Sequence, residues 1–114
     1  MKKETMRKMS LEEELYKKVP INDLILFGIF SVVDNGKKCS FETLAHKCFI
    51  LFPKVFFLQK HPQWPDTRKL DRPLRTLRDE KMIVGSPKTL FSLTKRGKKR
   101  ALEVAKVFRQ TKLL

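Results

Sequence analysis

From Pro65 to Gly97 the chain reads PDTRKLDRPLRTLRDEKMIVGSPKTLFSLTKRG, and this run constrains the fold more than any other. At roughly 100° per residue, a helix over 66–80 sets Leu70, Leu74 and Leu77 on one side and Arg68, Arg72 and Arg75 on the other. The leucines require a core beneath them, while the arginines must stay in water or meet an anion. Asp66 is a fitting N-cap, and its negative charge suits the positive end of the helix dipole. Pro73 lies inside this helix and removes one backbone hydrogen bond. Either the helix kinks there, or a first turn at 67–70 is followed by a restart capped by Asp71.

Two short strands follow, over 81–84 and 90–93. They are joined by Gly85-Ser86-Pro87-Lys88-Thr89, which has the residue types of a hairpin turn. Thr94 then caps a last helix over 95–112, with Ala101, Val104, Ala105 and Phe108 as its apolar stripe and Leu102 and Val107 to the sides.

Upstream, Ser10 and Glu13 have capping-box spacing, which predicts a helix from Leu11 to about Lys18. Pro20 breaks it. A second helix opens at Ile21 or Asn22 and runs to about Asp34, with Leu24, Ile25, Leu26, Phe27, Ile29, Phe30, Val32 and Val33 apolar on most sides. Such a helix must be covered by the rest of the chain or by a partner. Asn35-Gly36 ends it, with Gly36 suited to the left-handed position beyond the last turn. Residues 37–39 read as a short extended piece. Ser40 caps a third helix whose shared face carries Phe41, Leu44, Ala45, Cys48 and Phe49, ending near Pro53. The stretch KVFFLQKHPQWP, residues 54–65, reads as a long loop packed by its own aromatic side chains, with Val55, Phe56, Phe57 and Leu58 turned inward. Trp64 is expected to buttress the next helix from the core side, the alternative being contact with a sugar-phosphate backbone.

The 114 residues suffice for one modest core, and the 41% hydrophobic share with nine Phe argues for a folded chain. The chain divides on this reading into a charged helical extension (1–19), a main domain (20–94) and a terminal helix (95–114) that packs on the domain or on a partner chain. Twenty-six Lys plus Arg against twelve Asp plus Glu give a formal charge of +14. That surplus repels itself and is relieved by a polyanion: nucleic acid first, an anionic membrane surface second.

Cys39, His46, Cys48 and His61 lack the ligand spacing of a closed zinc site, and Cys48 falls on an apolar helix face, so no metal or cofactor is expected. The histidines have no nucleophile partner, no carboxylate pair is set for acid–base work, and four glycines build no phosphate loop; an enzyme is not expected. The start of the chain has no apolar run of signal-peptide type, and 24–33 is too short to span a bilayer. A soluble, cytoplasmic protein without a membrane partner is the resulting expectation.

The order helix, short strand, helix, helix, hairpin resembles the winged helix-turn-helix family. Phe52 to Ala105 carries the likeness. PDTRKLDRPLRTLRDEKMIVG looks like a recognition helix with its first wing strand, and LFSLTKRGKKRALEV is similar to the strand, Leu-Thr, Gly and helix that close such domains in archaea, bacteria and their mobile elements. The resemblance implies a mainly α fold with a small β-hairpin (α+β): a three-helix core plus wing, with additional N- and C-terminal helices. It also implies binding of double-stranded DNA, helix 66–80 in the major groove and hairpin 81–94 on the adjacent backbone.

The residues expected at such an interface are Arg68, Arg72 and Arg75, flanked by Lys69 and Thr76. Arginine's planar fork can engage guanine O6 and N7 together. Asp79 is expected to pair with Arg72 or Arg75. Lys88 at the hairpin tip, Lys37 and Lys38 near the first extended piece, and Lys98 on the last helix are candidates for phosphate contacts. About six such contacts would give a salt slope near −5. The plain alternative is that these cations form a solvated face. A DNA-binding transcriptional regulator is the leading expectation, a homodimer through helix 24–33 or the terminal helices, unless that apolar helix is simply the domain's own core. The alternatives are an RNA- or ribonucleoprotein-associated winged helix and a protein-interaction subunit of a nucleic-acid machine.

Overall fold

The computed structural model describes residues 13–113. In chain order the elements are α1 (Glu13–Tyr16), α2 (Ile21–Asp34), α3 (Phe41–Leu51), α4 (Pro53–Phe56), β1 (Phe57–Leu58), β2 (His61–Pro65), α5 (Arg68–Asp79), β3 (Ile83–Val84), β4 (Ser92–Leu93) and α6 (Lys95–Leu113). The described chain is mostly helical, with two separate two-stranded antiparallel sheets, β1–β2 and β3–β4. The capping box expected at Ser10 lies outside the described residues.

The apolar helix α2 is the centre of the molecule. Leu24, Ile25, Leu26, Ile29 and Val32 are buried, and α3, α5, α6 and β4 pack around them. The cover that so apolar a helix demands is thus supplied by the chain itself. One cluster of buried side chains runs from Tyr16 through Phe52, Phe56 and the α5 leucines to Phe108. The Phe27 and Phe108 rings meet edge to face at 5.1 Å, a geometry that the ring quadrupoles favour. Segments 20–94 and 95–113 therefore share one core, the terminal helix packing on the domain by the stripe Ala101, Val104, Ala105 and Phe108. Arg100 of α6 also reaches Asp23 of α2 at 2.7 Å.

Local chemistry sets the helix limits. Ser40 Oγ accepts the Thr43 backbone N–H, so α3 begins as its cap residue predicts. At the end of α2, Gly36 N–H donates to Val33 O and Lys37 N–H to Val32 O, with Gly36 at φ +75°; this is the six-residue closure that favours glycine. The end of α5 closes the same way, with Lys81 N–H on Arg78 O and Met82 N–H on Leu77 O, but the left-handed position is held by Lys81 at φ 60°. That closure consumes residues 81 and 82, which is why β3 starts at Ile83 rather than at Lys81. On the other side, Phe91 leaves the hairpin ladder to bridge Cys39, its N–H donating to Cys39 O at 2.8 Å, so β4 holds only Ser92 and Leu93.

Two expectations are corrected, and one left open at Pro73 is decided. Residues 54–65 are not a loop: they form the short helix α4 and the β1–β2 hairpin, which pairs Phe57 with Pro65 and Leu58 with His61 around an irregularity. The two prolines occupy an edge, where a missing N–H breaks no ladder. Of the four side chains expected to turn inward, Phe56 is fully buried, while Val55, Phe57 and Leu58 are half-buried. Trp64 is not a core buttress but stands 54% exposed. Of the two alternatives at Pro73, the uninterrupted helix holds: α5 is continuous from Arg68 to Asp79 with Pro73 inside and no restart at Asp71. The lost bond would have joined Pro73 to Lys69 O, and burial of Leu70, Leu74 and Leu77, about 2 kcal/mol each, outweighs the roughly 3 kcal/mol that an interior proline costs.

Candidate nucleic-acid interface

The helix α5 meets the core through its leucines and leaves its basic side outside. Arg68, Arg72, Arg75 and Arg78 are all exposed. Buried Asp66, immediately before the helix, accepts the Arg68 backbone N–H at 3.1 Å and the Arg68 Nε–H at 3.2 Å. Thr67 occupies the formal cap position without a side-chain bond, so the capping expected of Asp66 is made from one residue further out. The Arg68 guanidinium bond, opposed in part by burial, holds the Asp66 carboxyl below its ordinary range. Arg68 is therefore partly neutralised, although its side chain remains 80% exposed.

Arg72 and Arg75 make no ion pair or side-chain hydrogen bond with the described residues, and neither does Asp79, contrary to the expected pairing. They are free to meet an anion. Lys69 is placed differently. Its ammonium donates to Val55 O at 2.7 Å and lies 5.6 Å from the centre of the Phe57 ring. It ties α5 to the segment before it instead of pointing away with the arginines. Thr76 is half-buried at the edge of the basic face.

Arg78 was not among the residues expected at the site. Its guanidinium donates to Gly85 O at 3.2 Å, which fixes the start of the β3–β4 connection against the helix end. Its spacing from Arg75, three residues on, was the clue in the sequence. A groove of about 250 Å³ runs between the two elements, lined by Asp71, Leu74, Arg75, Arg78 and Pro87. The loop beyond it is a tight turn, with Ser86 N–H on Thr89 Oγ1 at 2.9 Å and Thr89 N–H on Ser86 O at 3.0 Å. That turn holds Lys88 at the tip, exposed.

The base of this hairpin is a junction. Thr94 Oγ1 accepts the Gly97 N–H at 3.0 Å, capping α6, and lies within hydrogen-bond distance of Lys81 O and Met82 O. Gly97 sits so close to β3 that a side chain there would collide with the Met82 carbonyl. The Cys39–Phe91 bridge brings exposed Lys37 and Lys38 next to the same sheet. Lys98 is exposed on the first turn of α6 and lines no part of the groove. The structure thus joins Arg75, Arg78 and the hairpin into one feature, with Arg72 one turn earlier on the same helix, sets Lys37 and Lys38 at its margin, and leaves Lys98 on a separate element.

Both cysteines are buried and unpaired, and burial raises the thiol of Cys39 to about 11 and that of Cys48 further. Among the described residues no group of three His, Cys, Asp or Glu side chains could hold a metal ion, and no helix is long and apolar enough to cross a membrane. No protein-family model, curated protein or solved structure matches the chain.

Proposed function

We propose that this chain is a winged helix-turn-helix protein that binds double-stranded DNA, laying α5 in the major groove with the β3–β4 hairpin on the adjacent backbone. The observation that carries this reading is the unpaired state of Arg72 and Arg75 on the outer face of a helix whose inner face is locked into the core. Two arginines held on a rigid element, one turn apart, match the reach of a base-reading helix. The element order α2, bridge, α3, α5, β3–β4 supports the winged-helix assignment. The +14 charge supplies the long-range attraction. A role as a transcriptional regulator is part of the same proposal. Because α2 is spent in the core, a homodimer in it would use the outer face of α6, where Leu102 is 41% exposed.

The test is a salt titration of fluorescence anisotropy on labelled duplex DNA, competed by unlabelled duplex and by structured RNA. Affinity should fall with salt at a log–log slope near −5, from about six phosphate contacts, and duplex should compete better than RNA. Arg72→Ala or Arg75→Ala should each cost about 1–3 kcal/mol on a selected site and much less on random sequence. Equal losses on every sequence would reduce these arginines to phosphate contacts. Displacement mainly by RNA would overturn the DNA reading in favour of a ribonucleoprotein role.

A further inference from the structure

The β1–β2 hairpin carries a feature that the groove-binding reading does not use. Trp64 is 54% exposed, although the core a few residues away holds aromatic rings of similar size. Its indole is stacked on the His61 imidazole, with centroids 4.6 Å apart and an interplanar angle of 29°. Each of the two stacked residues is followed directly by a proline, Pro62 and Pro65. A following proline restricts a residue to extended backbone, which narrows the backbone from which each ring projects. The hairpin is also anchored to its surroundings. Asp66 N–H donates to Phe56 O at 2.7 Å, and Lys69 reaches Val55 O. In the chain, exposed Lys60 directly precedes His61, and Arg68, with its side chain 80% exposed, follows Trp64 by four residues.

A large apolar ring held out in water, backed on one face by an imidazole and with cations close by in the chain, has the properties of a stacking platform for a nucleobase. Bases inside a duplex are already stacked on their neighbours and cannot offer a face. An unpaired base can, and the phosphates beside it would fall near Lys60 and Arg68. We propose that Trp64, backed by His61, binds an unpaired DNA base at the boundary between duplex and single strand. This rests on the duplex reading above, since α5 begins three residues after β2 and would hold the adjoining double helix. The protein would then prefer a duplex with a single-stranded extension over a blunt one.

The chain has a single Trp, so its intrinsic emission reports Trp64 alone. The full chain is titrated with three probes: a blunt duplex, the same duplex extended by a single strand at either end, and the single strand by itself. The extension should raise affinity about tenfold, the effect of one stacked base, and should quench tryptophan emission where the blunt duplex does not. Followed by anisotropy of labelled DNA, Trp64→Ala should lose the preference for the extension and keep the affinity for blunt duplex. Trp64→Phe, which keeps a ring, should retain part of the preference. Blunt-duplex binding with no gain from the extension and no quenching overturns the platform and leaves the duplex reading intact. Quenching by single strand without any binding of blunt duplex supports the platform and overturns the duplex reading. Silence with all three probes overturns both.

Discussion

The described residues form two small hairpins, one before α5 and one after it in the chain, and they are held in different ways. The β3–β4 hairpin is closed mainly by backbone and hydroxyl groups, the Thr94 node, the Phe91–Cys39 bridge and the close approach of Gly97 to Met82, with the Arg78 guanidinium on Gly85 O. Its tip presents a cation, Lys88. The β1–β2 hairpin is held at its base by the Asp66 N–H on Phe56 O, with the Lys69 ammonium tying α5 to Val55 O just before it. Its exposed part presents an aromatic pair. On the proposed reading, the hairpin after the basic helix would meet phosphate and the hairpin before it a base. A cation on a turn meets a partner whose position is set by charge alone, whereas a ring needs a set height and angle, which the stack on His61 favours.

The largest way to break this contrast is Gly97→Ala. A methyl group there would collide with the Met82 carbonyl, and backbone cannot yield as a flexible side chain does. The expected loss is about 3 kcal/mol or more, in the range of severe steric substitutions, read as a lowered midpoint in urea unfolding. If Gly97→Ala unfolds within about 0.5 kcal/mol of the parent, the β3–β4 base is not the rigid junction described.

Next in size is a pair of lysine substitutions that separates structural from ligand-facing charge. Lys69→Met removes a charged hydrogen bond and a ring contact while keeping the aliphatic stem, and should cost about 1–2 kcal/mol of stability. The salt slope of DNA binding should not change. Lys88→Ala should do the reverse, leaving stability within about 0.5 kcal/mol and lowering the slope by roughly one. A Lys69→Met protein that is fully stable but has a reduced slope would place that ammonium on the ligand, not on Val55.

The same contrast explains what could be read from the sequence. The β3–β4 hairpin was legible because Gly85, Ser86 and Pro87 are turn residues set between alternating strands, and α6 because Thr94 and its apolar stripe agree. The β1–β2 hairpin was not. Its prolines argue against a strand, and the pairing depends on Phe56 being buried and on Asp66 finding Phe56 O, which are tertiary facts. Within the candidate site, the outward face of Arg68, Arg72 and Arg75 followed from helical period alone. The diversion of Lys69 did not, because its acceptor is a carbonyl fourteen positions earlier. Trp64 is expected inside because large apolar rings usually go there; its exposed stack on His61 is a tertiary contact that no local pattern announces.

The smallest expected effect concerns acid. Asp66 joins β2 to α5, and its carboxyl is held below the ordinary value of 3.8, chiefly by Arg68. As pH falls, the unfolded chain takes up this proton first. Between the ordinary value and the lower folded one the unfolded state therefore binds more protons, and stability drops with pH. Above that window the contribution is complete. Because Arg68 is largely in water, screening keeps it small, a few tenths of a kcal/mol to about 1 kcal/mol. Asp66→Asn keeps an acceptor for the Arg68 N–H and removes the charge. The stability difference between parent and variant should be constant above about pH 5 and shrink below about pH 4. Among the described residues no ion pair involves the β3–β4 hairpin, so amide exchange at 57–65 should quicken over this window before that at 83–93. Simultaneous loosening of both hairpins would mean that Asp66 acts through the whole core and that the two flanks of α5 are not separately held.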